Sequence, residues 1–234
     1  MIFGAAGAIG GALVERIAAS GRFAEVYAGS RHGKAKAPNG VRRFRFDLES
    51  EPSIAAAAEA ITMPPALVIV ATGVLHDLAA GVQPEKALRQ LDAGAMAQVF
   101  ALNTIGPALI AKHFLPRLPR DRRSVFAVLS AKVGSIGDNR LGGWHSYRAS
   151  KAALNMLVKT IAVETARTHP QAVVAALHPG TVAGPLSAPF ARGTSSNTVV
   201  SPDAAARNLL NVIDSLTPAD SGGFFNWDGS RLPY

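Results

Sequence analysis

The chain has 234 residues, of which 48% are hydrophobic and 17% charged, enough to build the core of one α/β domain. Because it contains no cysteine, disulfides and thiolate metal sites are excluded, and we expect no metal. The formal net charge is +8, but the basic residues fall in small groups without interleaved aromatic residues. This favours attraction for anionic ligands over nucleic-acid binding.

The beginning of the chain lacks the basic region of a signal peptide. No stretch approaches eighteen uninterrupted apolar residues, so we expect no membrane span and a cytoplasmic location.

Short β-rich runs alternate with longer helical ones, a pattern typical of parallel strands joined by crossover helices. The predicted strands are Met1–Phe3, Glu25–Ala28, Arg42–Phe46, Ala66–Ala71, Ser124–Ser130, Ala172–His178 and Phe224–Asn226. The predicted helices are Ile9–Ser20, Pro52–Ala60, Gly94–Leu115, Ser146–Thr168 and Pro202–Ser215. Several strands are apolar throughout, as expected of strands buried on both faces of a sheet.

Two segments depart from this regular pattern. The first strand is shorter than a central strand usually is, which indicates either missing residues before Met1 or a start assigned too late. The longest irregular stretch, Gly184–Ser201, is rich in Gly, Pro and Ser. It is either a mobile flap or a disordered surface loop, two interpretations of equal weight.

Three glycines, Gly4, Gly7 and Gly10, follow the first strand and open the first helix. A pyrophosphate can approach backbone N–H groups at a helix N-terminus only where no Cβ blocks it. We therefore predict that this loop binds a dinucleotide, although an ordinary tight βα turn would also use glycine. The residues of the loop assigned to the cofactor are Gly4, Ala6, Gly7, Ala8, Ile9 and Gly10.

The end of the second strand predicts which dinucleotide is bound. An acidic residue there would bind the ribose 2′-OH of NAD, but this chain has Ser30 and Arg31 instead. A guanidinium can pair with the 2′-phosphate of NADP(H) through two charge-assisted hydrogen bonds. NADP(H) is therefore favoured, with Lys34 and Lys36 interpreted as solvated loop residues.

Two further strand ends carry candidate cofactor contacts. Asp47 follows the third strand, where its carboxylate could accept a hydrogen bond from an adenine amino group or cap the next helix. Ala71, Thr72 and Gly73 follow the fourth strand and leave room for a cofactor against the backbone.

Tyr147 and Lys151 are four residues apart at the start of a long helix, so they share one face. A free tyrosine, with a pKa near 10, is a poor acid–base group at neutral pH. A cation one turn away stabilises the phenolate and is expected to lower that pKa. Tyr147 is then a candidate general acid–base group for a carbonyl or alcohol, although the pair is also common on helix surfaces.

Taken together, these motifs resemble the short-chain dehydrogenase/reductase family over essentially the whole chain. The motifs are the glycine loop, Ala71-Thr72-Gly73, Asn103, Ser130, Tyr147-x-x-x-Lys151 and Pro179-Gly180. The segments Gly134–Met156 and FFNWDGSRLPY are similar to the branch with C-factor-like proteins and sniffer-type carbonyl reductases. The resemblance implies a single doubly wound Rossmann-type domain over residues 1–234, with a mainly parallel seven-stranded sheet flanked by helices.

The resemblance also implies roles that the residues alone do not. Asn103 would hold a water that links Lys151 to solvent; without the family it would be an unremarkable buried amide. Asp47 and Leu48 would contact the adenine, and Ala71–Gly73 would lie under the ribose. Pro179, Gly180 and Val182 would lie at the nicotinamide. Family members are often homodimers through two helices, but monomers occur among carbonyl reductases, so both states stay open.

The chain departs from the family pattern at several positions. The catalytic serine of the family aligns with Ala131, so Ser130 is the catalytic candidate only if the strand ends or bulges before it. Ser135 is another candidate. Losing one such donor can cost roughly two to three orders of magnitude in rate. Phe3 and Ala6 replace hydroxyl residues of the glycine loop, and Gly184 replaces a threonine.

These observations favour an NADP(H)-dependent oxidoreductase acting on a small carbonyl or secondary alcohol. Its catalytic residues would be Tyr147, Lys151, Asn103 and Ser130. The alternative is a catalytically weakened NADP(H)-binding regulatory protein, an interpretation motivated by Ala131. An apolar substrate pocket could be lined by Trp144, His145, Leu186 and Phe190, although each is also explained by ordinary packing.

Overall fold

The computed structural model describes residues 1–190 and 199–234, in which seven strands form a single, entirely parallel sheet. The strands are Ile2–Phe3 (β1), Tyr27–Ser30 (β2), Arg42–Arg45 (β3), Leu67–Val70 (β4), Ser124–Leu129 (β5), Ala172–His178 (β6) and Phe224–Asn226 (β7). Their order is β3-β2-β1-β4-β5-β6-β7. The order reverses between β1 and β4, and ligands of such sheets bind outside the strand ends at this reversal.

Helices cover both faces of the sheet. They are Ala8–Ala19 (α1), Glu51–Glu59 (α2), Ala93–Phe100 (α3), Gly106–Phe114 (α4), His145–Thr165 (α5) and Pro202–Ser215 (α6). Short 3₁₀ turns are Leu88–Gln90, Leu115–Arg117, Lys132–Gly134, Ala188–Phe190 and Pro218–Asp220. Alternate strand residues pack into two cores, one under α1 and α6 and the other under α2, α4 and α5. The predicted doubly wound fold is confirmed.

Helix and strand positions also follow the predictions, with a shift at β2. Glu25–Ala28 was the predicted range, but the strand runs two residues later and includes Gly29 and Ser30. These residues pair with Phe44 and Arg45 of β3, and the Phe44 ring fills the space above Gly29. Lateral pairing therefore overrides the weak strand preference of glycine.

The predicted helix Gly94–Leu115 is one long run with a π-helical turn at Ala101–Ile105 between α3 and α4. In the described part of the chain, Ala93–Arg117 is the one helical run long and apolar enough to cross a membrane by composition. It packs against α2 and α5, and core helices often have this composition, so the feature is weak evidence for a membrane span.

The short first strand is held by an aromatic cluster below the glycine loop. The Phe3 ring is fully buried and meets Phe44, Phe46 and Phe114 edge-on, with centroids 5.3, 4.9 and 4.9 Å away. Edge-to-face pairs of this kind add roughly 0.5–1.5 kcal/mol each to the burial of apolar area. Phe3 is therefore a core residue, which explains an aromatic where the family has a hydroxyl.

Candidate active site

The glycine loop and the exit of β4 lie side by side at the reversal of strand order. Gly4 has a positive φ of 87°, and a β-carbon there would lie 2.7 Å from the carbonyl oxygen of Ala71. A β-carbon on Gly10 would lie 2.2 Å from the Gly4 oxygen, so the helix can approach the strand only through glycine. Gly7 is the N-cap residue of α1, and no side chain caps the first N–H groups of this helix there. The loop thus presents a helix N-terminus to the crevice, the space outside the carboxyl ends of the strands at this reversal.

The remaining predicted loop residues lie on the open side of this turn. Ala6 and Ala8 are exposed, and Ile9 is half-buried. Gly184 lies over the loop, since a β-carbon on it would be 3.3 Å from the Ala8 methyl group. The segment after β6 therefore approaches the same helix N-terminus from above.

Two hydroxyl groups at the ends of the strands on either side of β1 are buried without a hydrogen-bond partner in the described part of the chain. They belong to Ser30, at the end of β2, and Thr72, just after β4. A buried, unpaired hydroxyl costs free energy, so each is a candidate contact for a bound ligand. Arg31 is exposed on the turn next to Ser30, with its side chain open to solvent.

Asp47 and Leu48, which the resemblance assigns to the adenine, follow β3. One carboxylate oxygen of Asp47 accepts a hydrogen bond from the Glu49 N–H at 3.1 Å, so it stabilises a turn, while Ser50 is the N-cap of α2. Leu48 packs on Gly106, where a β-carbon would lie 2.7 Å from Leu48 Cδ2. Both residues are half-buried beside the crevice.

The turn after β6 forms the other side of the crevice. Pro179 and Gly180 are half-buried, and Gly180 has a positive φ of 78° with Trp227 against its open face. Val182 is buried and bridges to Val200. Residues 191–198 of the predicted irregular stretch lie outside the described residues, as does the Phe190 side chain.

Tyr147 and Lys151 meet on the inner face of α5. Both are buried, and Lys151 Nζ lies 5.9 Å from the centroid of the Tyr147 ring. The ammonium group donates a hydrogen bond to the Leu129 oxygen at 2.9 Å, at the end of β5. The predicted juxtaposition of phenol and cation is therefore present, and the backbone of β5 fixes the lysine.

Burial shifts the pKa of both groups in opposite directions. Desolvation raises the pKa of Tyr147 to about 12 and lowers the pKa of Lys151 to about 8. The expected net lowering of the tyrosine pKa is therefore wrong, because burial outweighs the effect of the neighbouring cation. A protonated phenol at neutral pH can donate a proton, which suits the reduction of a carbonyl.

Asn103 lies in the π-helical turn, a feature often found at functional sites. Its amide group accepts a hydrogen bond from the Val74 N–H, and donates to the Val74 oxygen and to Ser150 Oγ. Asn103 Oδ1 and Lys151 Nζ each lie 3.3 Å from the place of a β-carbon on Gly73. Gly73 therefore leaves a narrow space between the amide and the ammonium group.

The hydroxyl predicted at Ser130 does not face Tyr147. Ser130 Oγ is buried and donates to Asn155 Oδ1 at 2.7 Å. Ala131 instead packs with Tyr147 and Leu75. β5 ends at Leu129, so Ser130 lies just past the strand as the catalytic assignment requires, but its hydroxyl is bound to Asn155, and this contact argues against Ser130 as the catalytic hydroxyl. The Ser135 hydroxyl accepts a hydrogen bond from the Asp138 N–H in the following loop.

Tyr147 belongs to a small apolar cluster with Leu75 and Ala131, against which Val133 and Trp144 pack. The Trp144 ring stands nearly perpendicular to the phenol, with the ring centroids 6.3 Å apart. Of the other predicted pocket residues, His145 is half-buried and Leu186 is exposed. Among the described residues, no group of three His, Asp or Glu side chains is placed to hold a metal.

Two further residues, not predicted from the sequence, reach this site from the segment between β4 and α3: Leu75 clusters with Tyr147, and Glu85 binds the start of α5. No motif marks Leu75. The Gly142-Gly143 pair is a sequence signal for the left-handed backbone turn that precedes α5.

Comparisons with known proteins agree with this architecture. The profile described as short chain dehydrogenase matches residues 1–194. The C-signal protein of Myxococcus xanthus is 36% identical over 149 residues, which cover 63% of this chain and 84% of that protein. A dehydrogenase of Rhodococcus is 33% identical over 155 residues, which cover 66% of each chain, and the match covers 56% of three Schizosaccharomyces pombe oxidoreductases.

Solved structures match along the full length. The NADPH-bound carbonyl reductase from chicken fatty liver is 26% identical with a TM-score of 0.85, covering 100% of this chain and 97% of that one. Carbonyl reductase Sniffer of D. melanogaster is 21% identical with a TM-score of 0.81, covering 100% of this chain and 98% of that one, and this likeness shows the fold alone.

Proposed function

Because the chain belongs to the short-chain dehydrogenase family, we propose that it is an oxidoreductase that transfers hydride between NADP(H) and a carbonyl or secondary-alcohol substrate. The resemblance to the C-factor-like and carbonyl reductase branch, first indicated by the motifs, is confirmed. We take residues 1–234 as one dinucleotide-binding domain.

The observation that carries the proposal is the position of the Tyr147 and Lys151 pair. The two side chains lie at the end of β5, beside the exit of β4 and Gly73. The glycine loop follows the neighbouring strand β1 at the same edge of the sheet. A cofactor held by that loop would extend along this edge toward Tyr147.

The residues of the chain have separate roles in this proposal. Tyr147 gives its proton to the carbonyl oxygen, and the ammonium form of Lys151 stabilises the phenolate that results, although burial lowers the pKa of Lys151 to about 8. Asn103 borders the space behind the ammonium group, through which a proton can return from solvent. The bound cofactor supplies the hydride, and the protein supplies orientation and the proton.

Several features support NADP(H) as the cofactor. The loop leaves no room for a β-carbon at Gly4 or Gly10, and the hydroxyls of Ser30 and Thr72 lack partners in the described part of the chain. Ala71, Pro179, Gly180 and Val182 border the same crevice. Arg31 is exposed just after β2, and a guanidinium there would suit the 2′-phosphate of NADP(H).

Cofactor titration tests this assignment. We expect NADPH to bind more tightly than NADH, and Arg31→Ala to weaken NADPH by about tenfold while NADH stays unchanged, because one charge-assisted pair is lost. Lys36→Ala, which removes an exposed cation in the loop after that turn, is the matched control. Equal affinities for the two nucleotides in the unmutated protein would contradict the assignment.

A second candidate function is an NADP(H)-binding regulatory protein with weak catalysis. The specific observation in its favour is the Ala131 methyl group against Tyr147, where the family places a hydroxyl. NADPH oxidation with a panel of aldehydes and quinones separates the two candidates. Turnover that is lost in Tyr147→Phe supports the enzyme, whereas tight NADPH binding without turnover supports the regulatory protein.

The cytoplasmic location and the choice between homodimer and monomer stay predictions. The two helices of the expected dimer are the long run from α3 to α4, with exposed Ile105 at its π-helical turn, and α5, with exposed Met156 and Val163. Sedimentation of the purified protein would distinguish the two states.

A further inference from the structure

The start of α5 is held by a residue that lies far away in the sequence. We infer that Glu85 is a positioning residue for Tyr147: its carboxylate caps the first turn of α5 and so fixes the height and orientation of the phenol. The inference rests on the proposed function for its catalytic consequence, but the cap itself can be tested without turnover.

Glu85 is the only buried Asp or Glu side chain among the described residues, with 5% of its surface exposed. Its Oε2 accepts a hydrogen bond from the Ser146 N–H at 3.2 Å, and its Oε1 accepts one from the Ser146 hydroxyl. Ser146 is the residue immediately before Tyr147. The carboxylate is thus bound directly to the first turn of the catalytic helix.

The helix needs such a partner because its own N-cap supplies none. Trp144, the N-cap residue, makes no side-chain capping bond and adopts the left-handed conformation with φ 51°. Gly142 and Gly143 before it also have positive φ, 62° and 65°. A non-glycine residue in this region is strained by roughly 1–3 kcal/mol and persists only where its surroundings hold it.

Glu85 supplies that hold from both its side chain and its backbone. The Trp144 N–H donates to the Glu85 carbonyl oxygen at 2.5 Å, next to the carboxylate bonds to Ser146. A β-carbon on Gly143 would lie 3.4 Å from the same carbonyl oxygen, so the left-handed turn packs directly on Glu85. A negative charge at a helix N-terminus is also favoured by the helix dipole.

The segment that carries Glu85, residues 74–91, touches the rest of the site at other points. The Val74 backbone exchanges two hydrogen bonds with the Asn103 side chain, and Leu75 packs on Tyr147. His76 Nε2 lies 3.1 Å from the Pro185 oxygen. Through Glu85, the 74–91 segment therefore joins the asparagine, the tyrosine and the entry of α5 into one unit.

Three variants separate the role of the contact from the role of charge. Glu85→Ala removes the cap, while Glu85→Gln keeps one carbonyl oxygen for the Ser146 N–H and an amide for its hydroxyl. Gln83→Ala, an exposed position in the same segment, is the matched control. NADPH affinity should stay within about twofold in all three, since the glycine loop is not touched.

The first measurement is hydrogen exchange of the amides of residues 144–151, which needs no activity. We expect exchange about tenfold faster in Glu85→Ala, and little change in Glu85→Gln or Gln83→Ala. Unchanged protection in Glu85→Ala would overturn the inference whether or not the protein is an enzyme.

The second measurement determines kcat and KM separately, at a temperature at which all the variants are folded. A phenol displaced by about 1 Å can cost about 100-fold in rate, so kcat should fall by that order in Glu85→Ala and recover in Glu85→Gln. A folded Glu85→Ala with unchanged kcat would also overturn the inference. Absence of turnover in the unmutated protein would instead overturn the proposed function, with the exchange result still deciding the role of Glu85.

Discussion

The two halves of the crevice hold their functional groups by different means. On the side of β1 and β2, the site is made of backbone and glycine: Gly4 and Gly10 allow strand and helix to touch, and no side chain is required to do chemistry. On the side of β4 and β5, the site is made of side chains from four separate segments, namely Asn103, Ala131, Tyr147 with Lys151, and Glu85. The nucleotide half therefore depends on glycine positions that carry no β-carbon, and the catalytic half depends on where its functional side chains are placed.

This difference has a consequence for substitutions. In the nucleotide half, adding one methyl group should impair binding while leaving the acid–base pair intact. In the catalytic half, changing one group should alter turnover while leaving nucleotide affinity nearly constant. The following predictions would sharpen or break that division.

The largest effect is expected for Tyr147→Phe. Removal of the proton donor should lower kcat by about 1,000-fold, since a positioned acid contributes roughly 10²–10⁴. NADPH affinity should change by less than about twofold, because the variant fills the same buried space. Steady-state kinetics and fluorescence titration check both parts, and a variant with near-normal turnover would show that another group supplies the proton.

Ala131→Ser should produce a gain of function. Ala131 packs against Tyr147, so a hydroxyl there would face the oxygen of a substrate. One added donor is expected to raise kcat by up to about 100-fold. Ser130→Ala is the control, because the Ser130 hydroxyl is already bound to Asn155 and should not affect turnover by that route.

If Ser130→Ala abolished activity while Ala131→Ser changed nothing, the catalytic assignment of Ser130 made from the sequence would be restored, and the orientation of the strand end seen here would be contradicted.

Gly10→Ala should act on the nucleotide half alone. Its β-carbon would lie 2.2 Å from the Gly4 oxygen, so the loop must shift. Overpacking costs roughly 1–3 kcal/mol, and NADPH affinity should fall by at least about tenfold. Gly11→Ala, whose β-carbon would lie 3.4 Å from the Ala5 oxygen, is the adjacent control and should bind normally. Equal affinities in the two variants would contradict the close contact.

Lys151→Met should raise the free energy of unfolding, because burying the ammonium group of Lys151 destabilises the folded chain. The pKa of Lys151 falls from 10.5 to about 8 on burial, so between these values the unfolded chain binds the extra proton. Stability of the unmutated protein should therefore rise with pH in this window. The shift corresponds to about 3 kcal/mol, partly offset by the lost bond to Leu129, so the variant should gain about 2 kcal/mol near pH 7.

Urea unfolding of both proteins at several pH values checks this prediction. The advantage of the methionine variant should shrink as pH rises from 8 toward 10.5. A variant that is less stable at every pH would show that the buried ammonium group is well compensated.

The same division explains what could be predicted from the sequence. The glycine loop, the placement of Tyr147 and Lys151 on one helix face, and the strands of the sheet all follow from local spacing, and each lies near its predicted position. The π-helical turn, the orientation of Ser130 and the cap from Glu85 depend on contacts between distant segments. The direction of the Tyr147 pKa shift was also missed, because it depends on apolar neighbours that only the fold assembles.

The most direct test of the central claim is transfer of a label from the nucleotide to the substrate. With NADPH deuterated at C4 on the transferred face and a carbonyl compound that is turned over, the alcohol should carry deuterium on its carbinol carbon. In Tyr147→Phe, this transfer should slow by about the same factor as kcat. A protein that binds NADPH tightly yet forms no labelled alcohol with any carbonyl of the panel would contradict the account.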